Sequence, residues 1–399
     1  MATEIPRHWR DSTRAIHAGE SKHGVGGPVA TPIVRSSTFT FSSAAEMKRW
    51  AEGKSNAYIY TRYGNPTLTV AETKLAQLEH AEAAVVAASG MAAISSALLA
   101  ILSSGDELIA TRQVYGGSYR LFRDVFPRLG IRVKHVETDL EGVERLVTSR
   151  TKALYVETPT NPTLRVVDLR KAAALARRHK LVSLVDNTFG SPVLQKPIEL
   201  GFDLALHSAT KYLGGHSDLI GGAVIGKREL VEKTRQMIIY LGGSMDPEGA
   251  YLLIRGMKSL EPRVLRQCKS ALTVAKFLAK HRKVSRVHYP GLASHPDHAL
   301  SRRQMHGGFG GMMAFDLKGG LPAARRFCDR VRVFLLAVSL GGVESLVALP
   351  AYSSHYKMSR PELAAAGVEL GTVRVSIGLE DPADLIADLR RGLDALRTA

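Results

Sequence analysis

Cysteine is nearly missing from this chain, with only Cys268 and Cys328 in 399 residues. Both lie in Arg-flanked, helix-like segments without metal-ligand spacing, which excludes a disulfide framework and a thiolate metal site and predicts a reducing, cytoplasmic compartment. Acidic side chains are also in deficit, 37 against 54 Lys and Arg, for a formal charge of +17. That excess is scattered through helical segments, not gathered into a tail or stripe. It reads as solvated faces plus attraction for an anionic cofactor and substrate, without a nucleic-acid partner. The first twenty residues are charged and carry no apolar segment of the secretory kind. One uncharged stretch, 83–105, is long enough to span a bilayer. It is rich in Ala, Ser and Gly, breaks at Ser89-Gly90, and is flanked by Glu82 and Asp106-Glu107 instead of basic residues. A short buried strand followed by a buried helix is therefore expected, with no membrane partner. No internal repeat or low-complexity linker is present.

What is present is an alternation of helical and extended patterns. Leu68, Ala71, Leu75 and Leu78 recur at helical spacing, and strands are predicted at Val85–Ala88, Glu107–Thr111, Ile131–Val136, Ala153–Glu157, Val182–Val185, Leu204–His207 and Ala223–Ile225. Such alternation implies an α/β protein with a mostly parallel sheet covered by helices on both faces. Ahead of it, residues 1–62 form an arm, broken at Gly24 to Pro28 and at Pro32, too short to bury a core of its own. Inside the arm, Ser43 and Glu46 predict a capping box, with Gly53 closing that helix. Residues 63–256 form the large domain. A long helix from Pro247 to about Lys283 then leaves it, and 257–399 form a smaller C-terminal α/β domain with strands over Gly311–Leu317, Val331–Val338 and Thr372–Ile377. Asp381 and Pro382 start a terminal helix whose apolar face runs from Leu385 to Leu396.

The chemistry-bearing residues gather where strands end. Leu204 to Asp218 is an apolar run that stops in Ser208, Thr210 and Lys211 before Gly214 and Gly215 turn the chain away. A lysine among hydroxyls in a tight turn is suited to binding phosphate or to forming a Schiff base with a carbonyl, although a lone lysine after a strand is ordinarily a surface group. A second run ends in Asp186, Asn187 and Thr188. In a doubly wound sheet both ends meet on one rim, where ligands bind. A buried aspartate beside a reactive lysine suits pyridoxal 5'-phosphate, whose ring nitrogen a carboxylate keeps protonated; taken alone, Asp186 also reads as a helix cap. Ser89-Gly90-Met91 opens the uncharged helix, where free amides and the helix dipole favour a phosphate. The other glycine clusters match neither dinucleotide nor nucleotide-triphosphate spacing. Asparagine occurs only at 56, 65, 161 and 187, and three of these four fall in the segments that carry the chemistry.

Taken together, Ser-Ala-Thr-Lys-Tyr-Leu-Gly-Gly-His-Ser-Asp at 208–218, Val-Asp-Asn-Thr at 185–188, Ala-Ser-Gly-Met-Ala-Ala at 88–93, Tyr-Thr-Arg-Tyr-Gly-Asn-Pro-Thr at 60–67 and Ser-Leu-Gly-Gly-Val-Glu-Ser at 339–345 resemble the Cys/Met-metabolism family of pyridoxal phosphate enzymes. This family includes cystathionine γ-synthases, cystathionine and methionine γ-lyases and homoserine-ester sulfhydrylases. The resemblance runs in order from about Thr13 to Ala395. It implies a type I, aspartate aminotransferase-like fold and a homotetramer built as a dimer of dimers, in which Tyr60 and Arg62 of one arm complete the neighbour's phosphate site. It implies that Lys211, Tyr115 and Asp186 are catalytic, and that Gly90, Met91, Asn161, Thr188, Ser208 and Thr210 join them and the arm residues around the cofactor. It also implies that Asn161, Val338, Ser339 and Arg374 bind an amino-acid substrate, with Arg374 on its α-carboxylate. An arginine between valines otherwise points to solvent, and a tyrosine before Gly-Gly is commonly a turn residue.

The expected reaction is a lyase reaction, α,γ-elimination on methionine or cystathionine giving a 2-oxo acid, ammonia and a thiol. A γ-replacement enzyme is the alternative, and a basic nucleic-acid-binding protein on a degenerate enzyme fold is a remote one. By the family pattern, Val338 stands where cystathionine-handling relatives carry glutamate and methionine γ-lyases a small apolar residue. Gly117 stands where methionine γ-lyases carry cysteine, so these two positions point to different subtypes.

Overall fold

A computed structural model of the chain describes residues 6, 8–21, 26–353, 356, 363 and 367–396. Gly24 of the proposed arm, and residues 1–5 and 7 of the charged N-terminal segment, lie outside the described residues.

The predicted alternation builds a seven-stranded sheet from β1 (Ala83–Ala87), β2 (Glu107–Thr111), β3 (Arg132–Val136), β4 (Thr151–Glu157), β5 (Val182–Asp186), β6 (Leu204–Ser208) and β7 (Gly222–Gly226), in the order β1-β7-β6-β5-β4-β2-β3. Only β7 runs against its neighbours, so β1, β2, β4, β5 and β6 all end on one rim. β1, β2 and β7 are buried from end to end, and β4 through to Glu157 except for Lys152, as expected where helices cover both faces. In helix Pro66–Leu78 the residues predicted at helical spacing, Leu68, Ala71, Leu75 and Leu78, all face the core. Each such leucine contributes about 1.5–3 kcal/mol through its burial.

The uncharged stretch is a strand and a helix: β1 leads through Ser89 into helix Gly90–Leu99, and the Ser89 side chain accepts the Ala92 N–H at 3.0 Å. No helix among the described residues is long and apolar enough to cross a membrane.

A second sheet follows, from β8 (Val284–His288), β9 (Met312–Leu317), β10 (Leu335–Leu336), β11 (Leu346–Ala348) and β12 (Thr372–Ser376), in the order β10-β11-β12-β9-β8. Its pairs are antiparallel except β10 with β11. The strand expected over Val331–Val338 shrinks to the two exposed residues of β10. The reason is that the buried Asp388 carboxylate, on helix Pro382–Asp394, accepts the N–H groups of Arg332, Val333 and Phe334 at 2.8–3.0 Å, taking donors that a ladder would need. The long helix expected from Pro247 is two helices, Pro247–Met257 and Leu260–Ala279, with Lys258-Ser259 between them.

In the arm, helix Ala44–Ala51 is capped by Ser43, but Glu46 reaches one residue further back than a capping box does, accepting from the Ser42 N–H and hydroxyl at 2.7 and 2.6 Å. This helix buries none of its residues.

Candidate active site

The rim of the large sheet and the loops of the small one enclose a cavity of about 580 Å³. Of the residues expected at the site, Gly90, Met91, Tyr115, Asn161, Asp186, Thr188, Ser208, Thr210, Lys211, Val338, Ser339 and Arg374 all line it. Tyr60 and Arg62 are not brought there within one chain. The Arg62 guanidinium lies 5.5 Å above the Tyr60 ring and 5.1 Å above that of Tyr63, and donates to the Ile239 carbonyl at 3.4 Å.

Each group reaches the cavity for a local reason. Asp186 is the last residue of β5, and its Oδ1 accepts the Thr188 N–H at 3.0 Å. Burial raises its pKa, against the lowering effect of those Thr188 bonds. Ser208 ends β6, and its own N–H donates to the Thr188 hydroxyl at 2.8 Å, which ties the two strand ends together. Thr210 Oγ1 accepts the Gly221 N–H at 3.0 Å. Lys211 follows in the turn and donates to Ser339 Oγ at 2.7 Å. Burial, with the Arg374 charge adding to it, lowers the Lys211 amine to about 8. Arg374 is buried on β12 and points inward, where its Nη1 donates to Asn161 Oδ1 at 3.3 Å and its Nη2 to the Ser339 carbonyl at 2.9 Å. Burial lowers it to about 10, so it stays cationic at neutral pH.

Not every residue in the motifs faces the cavity. Asn187 turns the other way and donates to Glu79 Oε1 at 3.0 Å in a buried network with Gln195 and His207. Glu157, assigned no role from the sequence, is part of the wall. It ends β4 beside Asp186 of β5, and its Oε2 accepts the Tyr115 N–H at 2.6 Å. Burial first, and then the Asp186 charge, push its pKa well above the ordinary carboxyl range. The available signal was a charged residue closing a strand otherwise buried at that end. Gly117 lies under Tyr115: a Cβ built there would come 2.4 Å from the Tyr115 ring.

This donor set fits pyridoxal phosphate. A part-buried amine of lowered pKa shares the cavity with a buried carboxylate, and hydroxyls stand beside a helix start. At Gly90 a Cβ would come 2.9 Å from Ser208 Cβ, so only glycine lets the opening amides of the helix sit so close to that hydroxyl. Among the described residues there is no group of three or more His, Cys, Asp or Glu placed to hold a metal ion. Both cysteines are buried and free, and burial pushes their thiols up to about 11 and about 12.

Comparison with known proteins gives a consistent picture. The family model described as Cys/Met metabolism PLP-dependent enzyme matches residues 12–394. An L-methionine γ-lyase from Fusobacterium nucleatum subsp. polymorphum is 44% identical over 388 residues, 96% of this chain and 98% of that protein. A cystathionine γ-synthase from Xanthomonas oryzae pv. oryzae, solved with aminoacrylate and cysteine, superposes with a TM-score of 0.92 at 41% identity over 98% of this chain and 99% of its own. A putative O-acetylhomoserine (thiol)-lyase from Campylobacter jejuni subsp. jejuni, solved with a pyridoxyl-lysine monophosphate, superposes with a TM-score of 0.93 at 31% identity over 97% of this chain and 100% of its own.

Proposed function

The chain belongs to the Cys/Met metabolism family of PLP-dependent enzymes, whose type I fold it shares, and from that premise we propose a carbon–sulfur lyase that performs α,γ-elimination on methionine or cystathionine. With one water consumed, the products are a 2-oxo acid, ammonia and a thiol. The observation that carries the lyase reading is the apolar Val338, 66% exposed at the cavity mouth, beside Ser339 and the buried Arg374. An apolar wall suits a methylthio group and gives a distal ammonium no partner.

Bound pyridoxal phosphate supplies the electron sink for charge developing on the substrate carbons. The chain's residues do the rest. Lys211 Nζ would anchor the cofactor and, once the substrate's amine displaces it, would carry the protons leaving Cα and Cβ one at a time, giving up the first before it takes the second, a task for which an amine lowered to about 8 is well matched. Asp186 would keep the ring nitrogen protonated. Tyr115, in the cavity wall, would supply an aromatic face for the ring and a hydroxyl proton for the departing sulfur. The Gly90 and Met91 amides, with the Ser208 and Thr210 hydroxyls, would hold the phosphate, while Thr188 orients Asp186 and Ser208. Arg374 grips the α-carboxylate with Asn161 and Ser339 beside it, a two-point contact that lysine could not make.

A γ-replacement reaction is the second reading, favoured by Gly117 beneath Tyr115. Assaying methionine, cystathionine, cysteine and homoserine esters with and without added thiol separates the two. Elimination products from methionine without thiol are expected, whereas turnover confined to homoserine esters plus thiol would overturn the lyase assignment.

The assembly and layout form part of the same proposal. Residues 1–62 are an arm laid on a second subunit, 63–256 the cofactor domain and 257–399 the small domain, in a homotetramer made of two dimers. The arm helix that buries nothing, with Met47 and Val29 exposed, supports this. A cytoplasmic location accords with two free, buried thiols.

A further inference from the structure

Helix Leu260–Ala279 runs through both cores. Leu260, Val264 and Cys268 pack with the large sheet's cluster, and Ala271, Val274, Ala275 and Leu278 with the small sheet's. Between these apolar positions it buries two long polar side chains one helical turn apart, Arg263 and Gln267.

Arg263 is 4% exposed, and among the described residues no carboxylate pairs with it. Its Nη1 donates to the Tyr212 carbonyl at 2.9 Å, its Nη2 to the Gly256 carbonyl at 2.8 Å and its Nε to Ser259 Oγ at 3.1 Å. A buried guanidinium facing only neutral acceptors is costly to desolvate, so packing alone gives no account of it. The Tyr212 carbonyl that it holds is one residue past Lys211. Gly215, at φ +73, makes room for it, since a Cβ there would stand 1.9 Å from Nη1.

Gln267 is fully buried and donates through Nε2 to the Gly342 carbonyl at 2.7 Å, three residues past Ser339. Among the described residues its Oε1 has no hydrogen-bond partner. The loop it holds rests on the Lys211 turn, backbone against backbone: a Cβ on Gly341 would come 2.8 Å from the Tyr212 nitrogen. That loop also keeps Ser339 at φ +89, a conformation a serine holds only when its surroundings impose it.

We propose that Arg263 and Gln267 are positioning residues that clamp the Lys211 turn and the Ser339 loop against each other from one helix. Arg263 fixes the turn that carries the amine. Gln267 fixes the loop whose Ser339 carbonyl orients Arg374, and so sets the grip on the substrate carboxylate. The inference rests on the reading of Lys211 and Arg374 given above.

The test uses the holoenzyme with Gln267→Leu, Arg263→Met and Arg263→Lys. Gln267→Leu removes the orphaned Oε1 but leaves the Gly342 carbonyl without its donor, so Tm should fall only slightly while KM for the amino acid rises about tenfold at nearly constant kcat. Arg263→Met should lower kcat about 10- to 100-fold and shift the pH midpoint of the visible absorption. Arg263→Lys, which keeps the charge but not the forked contact, should not restore kcat. Wild-type KM in Gln267→Leu, or kinetic losses that follow only a fall in Tm, would overturn the clamp. If Arg263→Met fails to fold, the Gln267→Leu result decides. Wild-type protein that takes up no pyridoxal phosphate would instead remove the reading of the site, and the clamp with it.

Discussion

Lys211 and Ser339, 128 residues apart in the chain, meet at 2.7 Å between amine and hydroxyl. The contact joins a turn at the rim of the parallel sheet to a loop of the antiparallel one, and Arg374 is bonded to the Ser339 carbonyl beside it. The lowered amine, the buried guanidinium and the cavity between them are thus one arrangement.

If Lys211 anchors the cofactor, the protein purified with pyridoxal phosphate is yellow and Lys211→Ala is not. Activity should fall by about 10²- to 10⁴-fold or more, since the variant loses the proton carrier as well as the anchor. Absorbance spectra before and after borohydride treatment check this. A variant with an unchanged spectrum would assign the anchor to another residue.

The acidity of Lys211 sets a pH window. Its ammonium is disfavoured by burial and by Arg374, and its pKa drops from 10.5 to about 8. The folded protein therefore binds fewer protons than the unfolded chain between those two values, and cofactor-free protein gains stability as pH rises through that interval. Lys74, also lowered to about 8 by burial, acts in the same direction. Thermal melts of wild type and Lys211→Met across this range should show a smaller gain in the variant. Identical slopes would mean that the amine titrates normally.

Arg62 stays away from the cavity of its own chain, bonded instead to the Ile239 carbonyl, which makes site sharing between subunits testable. Equal amounts of Arg62→Ala and Lys211→Ala proteins, each nearly inactive, should regain about a quarter of wild-type activity after subunit exchange, because half the dimers carry one intact site. Exchange without recovery would mean that each chain completes its own site.

Val338 lies at the cavity mouth, within reach of a substrate's distal end. Val338→Glu should improve cystathionine relative to methionine by about 1 to 3 kcal/mol in kcat/KM, by giving the distal ammonium a partner. Steady-state kinetics on both substrates measure the shift. No change in the ratio would place the specificity determinant elsewhere, with Gly117 beneath Tyr115 as the next position to vary.

The strand-end residues were legible in the sequence because each is delivered locally. An apolar run closing on Asp186 or on Ser208-Ala-Thr-Lys211 fixes both the strand and the group at its end, and the parallel order then brings those ends to one rim. The glycine at the start of helix Gly90–Leu99 was readable in the same way. Burial on both faces erased the rest of the signal. Arg374 alternates with valines on a strand with no solvent side, so its inward direction depended on the pairing of β12 with β9 and β11. Glu157 became Asp186's neighbour only through the register of β4 on β5. The strand expected over Val331–Val338 was lost to Asp388, more than fifty residues onward, which took its amides. Chain-local chemistry therefore determined which groups the rim presents. Which of them touch was decided by register and by side chains distant in sequence, because a hydrogen bond depends on separation in space and not on separation along the chain.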